Sequence, residues 1–238
     1  MRFTRPPNEI SSSASPSISE HAHEHHMKTL IIANGTLPPK KVVQNVLPTA
    51  DSIVCADGGA NQARLLNITP HIILGDLDSI LPATRRFFRD VPQLRIADQQ
   101  STDLEKAIGF CIRHGFDQID VLGGLGTRID LNTGALGCFR KFGNLADLRF
   151  IDVIGEITQI RDSVSFRAKK GDKISLIPLT ECKGITTRKL RFPLHNETLE
   201  LGVREGISNQ ATGSPVAISV KSGTLLLLRF RSHSIQHQ

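Results

Sequence analysis

The sequence predicts an α/β N-terminal domain with a mostly parallel sheet, followed by an all-β, sandwich-like C-terminal domain. Short β-branched runs alternate with helical segments in the first part of the chain, which is typical of a parallel sheet with crossover helices. After residue 155 the chain changes to short alternating segments separated by Gly, Pro and Asn, as in β-sandwiches. We therefore place the α/β domain at residues 27–155 and the β-sandwich at 156–232, with a tail at 233–238.

The composition limits the classes of protein to which the chain can belong. Its 238 residues are 39% hydrophobic and include no apolar run of membrane-spanning length, so we expect a cytoplasmic protein without a membrane partner. The net charge of +6 is compatible with a polyanionic partner, but aromatic residues make up only 5%, without Trp or Tyr, and the basic residues are dispersed. We therefore expect a small phosphorylated ligand and no nucleic acid. The four scattered cysteines predict buried free thiols rather than a zinc site.

The first 26 residues differ from the rest of the chain. They are rich in Ser, Pro and His, lack apolar periodicity and end in HAHEHH before Met27. A segment of this composition buries too little apolar surface to fold alone. We predict a disordered upstream extension or an artificial tail, and favour this over a metal-binding histidine cluster.

The remaining elements follow in order from Met27. Apolar runs predict strands, and helical periodicity or capping residues predict helices. In the first region, strands are expected at 29–33, from 53, at 72–74, 119–122 and 149–154, and helices at 40–47, after 57 and from 102. In the second region, strands are expected at 173–177, 185–192, 198–201, 216–220 and 224–230. Parallel strands end at one edge of their sheet, where open α/β sheets bind ligands.

Two acidic motifs directly follow predicted strands. In ADGGAN (56–61), Gly58 and Gly59 allow a ligand to approach the backbone, and the helix after Asp57 presents N–H groups to an anion, although an ordinary turn explains the motif equally well. In GDLDS (75–79), Asp76 and Asp78 project to the same side of an extended backbone. Close carboxylates repel each other unless a cation lies between them, so we favour a magnesium site over a solvated turn.

Two further motifs complete the candidate site. In DQQSTDLEK (98–106), Thr102 and Glu105 fit a capping box, which by itself explains Asp103 in the first turn of a helix. The functional alternative places Asp103 at the metal and Lys106 at a phosphate. In GGLGTRID (123–130), the glycines resemble a phosphate-binding loop without the Walker A ending, and Arg128 suits phosphate oxygens.

These four motifs occur in the same order in thiamine pyrophosphokinases, and the chain resembles that family from about residue 27 to residue 230. GDKISLIPL, GITTRKLRFPL, GISNQ and a final GTLLLL extend the resemblance through the second region. The family transfers the pyrophosphoryl group of ATP to the hydroxyl of thiamine, which gives thiamine diphosphate and AMP. The resemblance thus implies Mg²⁺ as cofactor, ATP and thiamine as substrates, and a homodimer with the thiamine site at the subunit interface.

The resemblance also implies a role for each matching residue. Asp76, Asp78 and Asp103 are expected to bind Mg²⁺ and, with Asp130, to act as catalytic acids; the general base is Asp103 or Asp130. The nucleotide and its phosphates are expected at Asp57, Gly58, Gly59, Asn61, Lys106, Gly123, Gly124 and Arg128. Thiamine is expected at Gln99, Thr102, Asp130, Ser208 and Asn209.

The sequence departs from the family pattern at Leu131, where the family usually has His or Gln. This departure motivates one alternative, a non-catalytic thiamine- or nucleotide-binding protein on the same scaffold. A second alternative is another magnesium-dependent phospho- or nucleotidyltransferase. Neither explains the second region as well as a thiamine diphosphokinase does.

Overall fold

A computed structural model describes residues 27–231, so the two predicted tails and the histidine run lie outside the described residues. The helices are α1 (Lys40–Val46), α2 (Gly59–Leu65), α3 (Pro82–Phe87), α4 (Asp103–Arg113) and α5 (Ile129–Phe142). The strands of the first part are β1 (Met27–Ile32), β2 (Ser52–Ala56), β3 (Ile72–Gly75), β4 (Gln93–Arg95), β5 (Phe116–Leu122) and β6 (Asp147–Ile151). Those of the second part are β7 (Gly155–Ile160), β8 (Ser163–Phe166), β9 (Lys173–Pro178), β10 (Cys182–Arg188), β11 (His195–Leu199), β12 (Gly206–Gln210), β13 (Val216–Ser219) and β14 (Leu225–Phe230).

Most strands belong to one ten-stranded sheet in the order β12-β9-β14-β7-β6-β5-β1-β2-β3-β4. The strands from β6 to β4 are mutually parallel, and those from β6 to β12 are antiparallel. A second, antiparallel sheet has the order β11-β10-β13-β8. The predicted fold class, a mostly parallel α/β part and an antiparallel all-β part, is confirmed.

Helices cover both faces of the parallel part because its strands are apolar on both sides. On one face, buried residues of α4 and α5 such as Ile108 and Phe139 pack on Ile31 and Val121. On the other face, residues of α1 and α2 pack on Leu30 and its neighbours. The carboxyl ends of the parallel strands are left free to carry loops.

Strand β14 joins the two parts through its alternating side chains. Leu226 and Leu228 face the core beneath α4 and α5, whereas Leu225 and Leu227 face the core between the two sheets. Successive side chains of a strand point to opposite faces, so one run of four leucines contributes to both cores.

The structure corrects several predicted element boundaries. The strand expected at 185–192 is β10, which ends at Arg188 because Lys189 adopts a positive φ of 62°. The strand expected at 149–154 is β6, which ends at Ile151, and the chain turns back into β7. Six elements were not predicted from the sequence: α3, α5, β4, β7, β8 and β12. All four cysteines are buried and free, as predicted.

No helix between residues 27 and 231 is long and apolar enough to cross a membrane.

Candidate functional site

A cavity of about 830 Å³ lies at the carboxyl ends of the parallel strands. The loops that follow β1, β2, β3 and β5 line it, together with the first turns of α4 and α5. All four sequence motifs therefore contribute to its wall. The contributing residues are Asp57, Ser79, Thr102 with Asp103, and the segment 123–128.

Three carboxylates gather beside this cavity. Each of Asp57, Asp76 and Asp78 places one oxygen within 4.8 Å of an oxygen of the others. The sequence predicts an extended backbone for Asp76 and Asp78. This prediction is wrong, because Leu77 between them adopts a positive φ of 67°. The resulting turn has the Asx form, since Asp78 N donates to Asp76 Oδ1 at 3.2 Å. The turn nevertheless keeps both side chains beside Asp57.

Asp57 is the most deeply placed of these acids. It is 3% exposed and adopts a positive φ of 41° directly after β2. Its Oδ2 accepts a hydrogen bond from Ser79 N at 3.2 Å, whereas its Oδ1 has no partner within the described chain. Burial raises the pKa of Asp57, and the charges of Asp103 and Asp76 raise it further, against the lowering effect of the Ser79 hydrogen bond. A cation bound at Oδ1 would offset both the cost of burying the Asp57 carboxylate and its repulsion from Asp103 and Asp76.

Asp103 adjoins the three acids and is paired with a lysine. Its Oδ1 accepts hydrogen bonds from Asp76 N at 3.3 Å and from Lys106 Nζ at 2.9 Å. Burial lowers the pKa of Lys106, but the hydrogen bond and the charge of Asp103 outweigh burial and raise it. The positive charge of Lys106 is thus already balanced by Asp103. Gly75 allows this approach, since a Cβ there would lie 2.9 Å from Asp103 Oδ1.

The predicted capping box begins α4. Thr102 Oγ1 accepts a hydrogen bond from Glu105 N at 3.2 Å, and Glu105 Oε2 accepts one from Thr102 N at 2.9 Å. The box fixes where α4 begins, and thereby holds Asp103 beside Asp76. The structural and the functional interpretations of this motif are therefore compatible.

Residues of the ADGGAN motif also make hydrogen bonds and close packing contacts that were not predicted from the sequence. Asn61 Nδ2 donates to Ser79 O at 2.9 Å, and Asn61 Oδ1 accepts from Leu81 N at 3.1 Å. A Cβ at Gly59 would lie 1.9 Å from Ile32 O, and one at Gly58 would meet the Asn34 side chain at 2.4 Å. These residues bring the start of α2 against the end of β1 and hold the acidic loop in place.

The glycine loop after β5 packs tightly on the loop after β1. Gly123 has a positive φ of 64°, and a Cβ there would lie 2.7 Å from Ala33 O. Beyond the loop, the exposed side chains of Arg128 and Asp130 form an ion pair at the start of α5. The hydrogen bond from Arg128 lowers the pKa of Asp130. The sequence analysis missed Asn132, which binds this loop and lines the cavity, because an Asn in a helix gives no signal without its tertiary partner.

Comparison with known proteins relates this geometry to a family. Residues 43–147 match the thiamin pyrophosphokinase catalytic domain, and residues 159–225 match the thiamin pyrophosphokinase vitamin B1 binding domain. Together the two matches cover more than two thirds of the chain. The chain belongs to the thiamine pyrophosphokinase family.

Curated relatives and solved structures agree with this assignment. Thiamine pyrophosphokinase 1 of Oryza sativa subsp. japonica is 28% identical over 209 residues, which are 75% of this chain and 79% of the relative. Thiamine pyrophosphokinase of Bacillus subtilis (strain 168) is 28% identical over 214 residues, 85% of this chain and 99% of the relative. The Bacillus subtilis crystal structure has a TM-score of 0.74 at 24% identity, covering 86% of this chain and 99% of that one. The yeast thiamin pyrophosphokinase structure has a TM-score of 0.75 at 18% identity, with 90% coverage of both chains. This chain therefore has the fold of thiamine pyrophosphokinases.

Four of the five residues that the family resemblance assigns to thiamine, namely Gln99, Asp130, Ser208 and Asn209, do not line the cavity of the described chain. Gln99 is exposed in the bend before α4. Ser208, with a positive φ of 58°, and Asn209 lie in the edge strand β12. The Asn209 amide is buried and exchanges two hydrogen bonds with the Phe192 backbone, at 3.1 and 2.8 Å. Five strand spacings separate β12 from β5, which is about 24 Å along the sheet.

Proposed function

We propose that the chain is a magnesium-dependent thiamine diphosphokinase that transfers the pyrophosphoryl group of ATP to the hydroxyl of thiamine. The observation that carries this proposal is the unpartnered, buried Asp57 Oδ1 beside Asp76 and Asp78, at the edge of a cavity with a glycine loop. Phosphoryl-type transfer needs acids that hold a cation and donors that hold phosphate oxygens, and this cavity brings both together. Membership of the thiamine pyrophosphokinase family supplies the substrate class.

The acid cluster suits Mg²⁺ because it offers oxygen ligands only, one of them without a protein partner. Asp57, Asp76 and Asp78 would hold the ion, with Asp103 adjoining them. When bound, Mg²⁺ neutralises negative charge on the phosphate oxygens. The glycine loop, with Gly123 and Gly124, would face the phosphates.

Asp103 is the better placed of the two candidate bases. It lines the cavity, and while its Oδ1 accepts from Asp76 N and Lys106 Nζ, its Oδ2 accepts no hydrogen bond within the described chain. Asp130 is exposed, and both of its oxygens accept from Arg128. These contacts support Asp103 Oδ2, positioned by Lys106, as the proposed proton acceptor.

The proposed step balances as an in-line displacement. The thiamine hydroxyl oxygen forms a bond to the β-phosphorus of ATP, and the hydroxyl proton passes to Asp103. The bond between the β-phosphorus and the bridging oxygen to the α-phosphate breaks, so AMP leaves with that oxygen. Arg128, exposed at the start of α5, is free to reorient from Asp130 toward the transferred phosphates.

We further propose a homodimer in which a second copy supplies β12 to the cavity. This follows from the distance of about 24 Å along the sheet between β12 and the glycine loop of the same chain. Exposed apolar side chains near β12, those of Leu201, Val203 and Ile207, suit such a contact. Ser208 and Gln99 would then meet thiamine from different chains.

Formation of AMP and thiamine diphosphate from ATP, Mg²⁺ and thiamine tests the proposed function. We expect the wild-type chain to form both products in equal amounts and Asp103→Asn to lose at least about a hundredfold in kcat, as removal of a general base does. Asp90→Asn is the matched control, because Asp90 is exposed and pairs only with Arg89. Full activity of Asp103→Asn would contradict the assignment of the base.

Two outcomes would favour the alternatives. Thiamine binding without AMP release would indicate a non-catalytic binding protein, and Leu131→His would then test whether a polar side chain restores turnover. Product formation with another acceptor alcohol in preference to thiamine would indicate a different magnesium-dependent transferase. Size-exclusion chromatography with light scattering, on the wild type and on Ile207→Asp, tests the dimer separately.

A further inference from the structure

Asn132, in the first turn of α5, holds the glycine loop by both ends of its side-chain amide. Its Oδ1 accepts a hydrogen bond from Gly126 N at 2.8 Å, and its Nδ2 donates one to Gly126 O at 2.9 Å. The Gly126 backbone offers one donor and one acceptor, so the pairing also fixes which end of the amide is the oxygen. Asn132 is half-buried and lines the cavity.

The loop after β1 holds the same glycine loop through its carbonyl groups. Gly35 N donates to Gly123 O at 2.8 Å, and Thr36 N donates to Leu125 O at 2.9 Å. With the bond from Asn132 to Gly126 O, three carbonyl oxygens of the loop are engaged by the protein. They are thereby held back from any anion that enters the cavity.

The N–H groups of the loop are in the opposite situation. Those of Gly124, Leu125 and Thr127 donate to no acceptor between residues 27 and 231, and all three residues line the cavity. A loop whose carbonyls are engaged and whose N–H groups are unpaired is suited to bind an anion such as phosphate. Keeping the Gly126 peptide in place preserves this arrangement, since a glycine peptide is otherwise free to rotate.

We propose that Asn132 is a positioning residue for the ATP phosphates, acting through the Gly126 peptide. Without the Asn132 side-chain amide, the Gly126 carbonyl oxygen loses its hydrogen-bond donor, and the peptide can rotate. The carbonyl oxygen can then face the phosphates, and the two negatively polarised groups repel each other. The proposal rests on the proposed function for the identity of the anion. Binding of ATP is measured without thiamine, so this proposal and the proposed reaction can fail independently.

Calorimetric titration with ATP in the presence of Mg²⁺ gives the direct test. We expect Asn132→Ala to raise the Kd of ATP about tenfold, the loss typical of a hydrogen-bonded positioning contact, while the KM of thiamine stays within about twofold. Thr133→Ala is the matched control, because Thr133 lies in the same helical turn, is exposed and bonds only Ile129 O. It should leave both constants unchanged.

Asn132→Asp separates positioning from a general packing role. An ionised carboxylate accepts from Gly126 N but repels Gly126 O, whereas a protonated carboxyl group restores both bonds. The ratio of the variant's Kd to the wild-type Kd should therefore fall as the pH is lowered toward the ordinary aspartate pKa of about 3.9. This variant keeps the shape of asparagine and remains informative if the alanine variant does not fold.

Three results would overturn the proposal. One is an unchanged Kd of ATP in both Asn132 variants. Another is a loss that affects ATP and thiamine equally and follows the thermal midpoint, which would indicate a structural role only. The third is a wild-type chain that does not bind ATP. ATP binding that weakens in Asn132→Ala, in a chain that forms no thiamine diphosphate, would support the positioning role and contradict the proposed reaction.

Discussion

Asp57 combines burial, an unpartnered oxygen and acidic neighbours, each of which destabilises an ionised carboxylate. Burial raises its pKa first, and the charges of Asp103 and Asp76 add to this effect. An ionised acid in such surroundings lowers the free energy of unfolding unless a bound cation balances its charge. Such an acid is expected at a functional site, where it serves as a cation ligand. The cluster therefore predicts opposite effects of one substitution on stability and on activity.

Asp57→Asn should stabilise the metal-free chain by about 1 kcal/mol, because the amide removes the like-charge repulsion and keeps an oxygen for Ser79 N. Turnover should fall at least about a hundredfold, since the ligand charge is lost. Urea unfolding in EDTA measures the first effect and AMP formation the second. Asp90→Asn, on the exposed surface, should change neither. Near-normal turnover of Asp57→Asn would exclude Asp57 from the metal site.

At the scale of single residues, the sequence indicated the acids but not their partners. The order of the motifs placed Asp57, Asp76, Asp78 and Asp103 at one edge, because strand ends converge there. The hydrogen bond from Asp76 N to Asp103 Oδ1 depends on packing between α4 and a loop that lies 27 residues earlier in the sequence. The pairing of Asn132 with Gly126 spans only six residues, but it depends on how the glycine loop folds back on α5. Such contacts have no local pattern from which to predict them.

Among the helices, α4 carries the clearest link between local sequence and the site. Its capping box satisfies two backbone N–H groups and fixes the turn in which Asp103 lies. Glu105 also pairs with Lys141, whose Nζ is 3.4 Å from Glu105 Oε1. Of the two box residues, Thr102 lines the cavity, so only Glu105 isolates the structural contribution.

Glu105→Ala should lower the free energy of unfolding by about 1 kcal/mol, the usual cost of a lost cap interaction, without changing the KM of ATP by more than about twofold. Chemical denaturation and steady-state kinetics measure the two quantities. Lys141→Ala removes the exposed ion pair and leaves the box intact, so it should cost only a few tenths of a kcal/mol. Equal losses in the two variants would mean that the ion pair, and not the box, stabilises α4.

The strands show where sequence patterns stop being informative. Strongly apolar runs such as that of β14 were predicted nearly to the residue. β8 and β12 were missed because they are short and partly exposed, and the alternation in β8 extends over only two apolar side chains, Val164 and Phe166, which does not distinguish it from a loop. Ser208 and Asn209 therefore resembled an ordinary turn, although they lie in an edge strand.

At the scale of the whole molecule, a continuous sheet connects the two predicted regions. β6 and β7 are antiparallel neighbours in it, and β14 lies two places beyond β6. The leucines of β14 alternate between the two cores, so neither core is complete without the same strand. Two regions that share a strand are expected to unfold together, whereas domains joined by a linker separate more readily.

Leu226→Ala and Leu227→Ala test this coupling from opposite faces of one strand. Both side chains are almost fully buried, so each substitution should cost about 2–5 kcal/mol by leaving a cavity. Because both cores depend on β14, calorimetry should give one transition in each variant, shifted downward by similar amounts. Leu65→Ala, at an exposed position outside the proposed dimer contact, should leave the midpoint nearly unchanged. Two resolved transitions, with Leu226→Ala shifting only one and Leu227→Ala only the other, would mean that the shared sheet does not couple the regions and that the division after residue 155 marks two independent folding units.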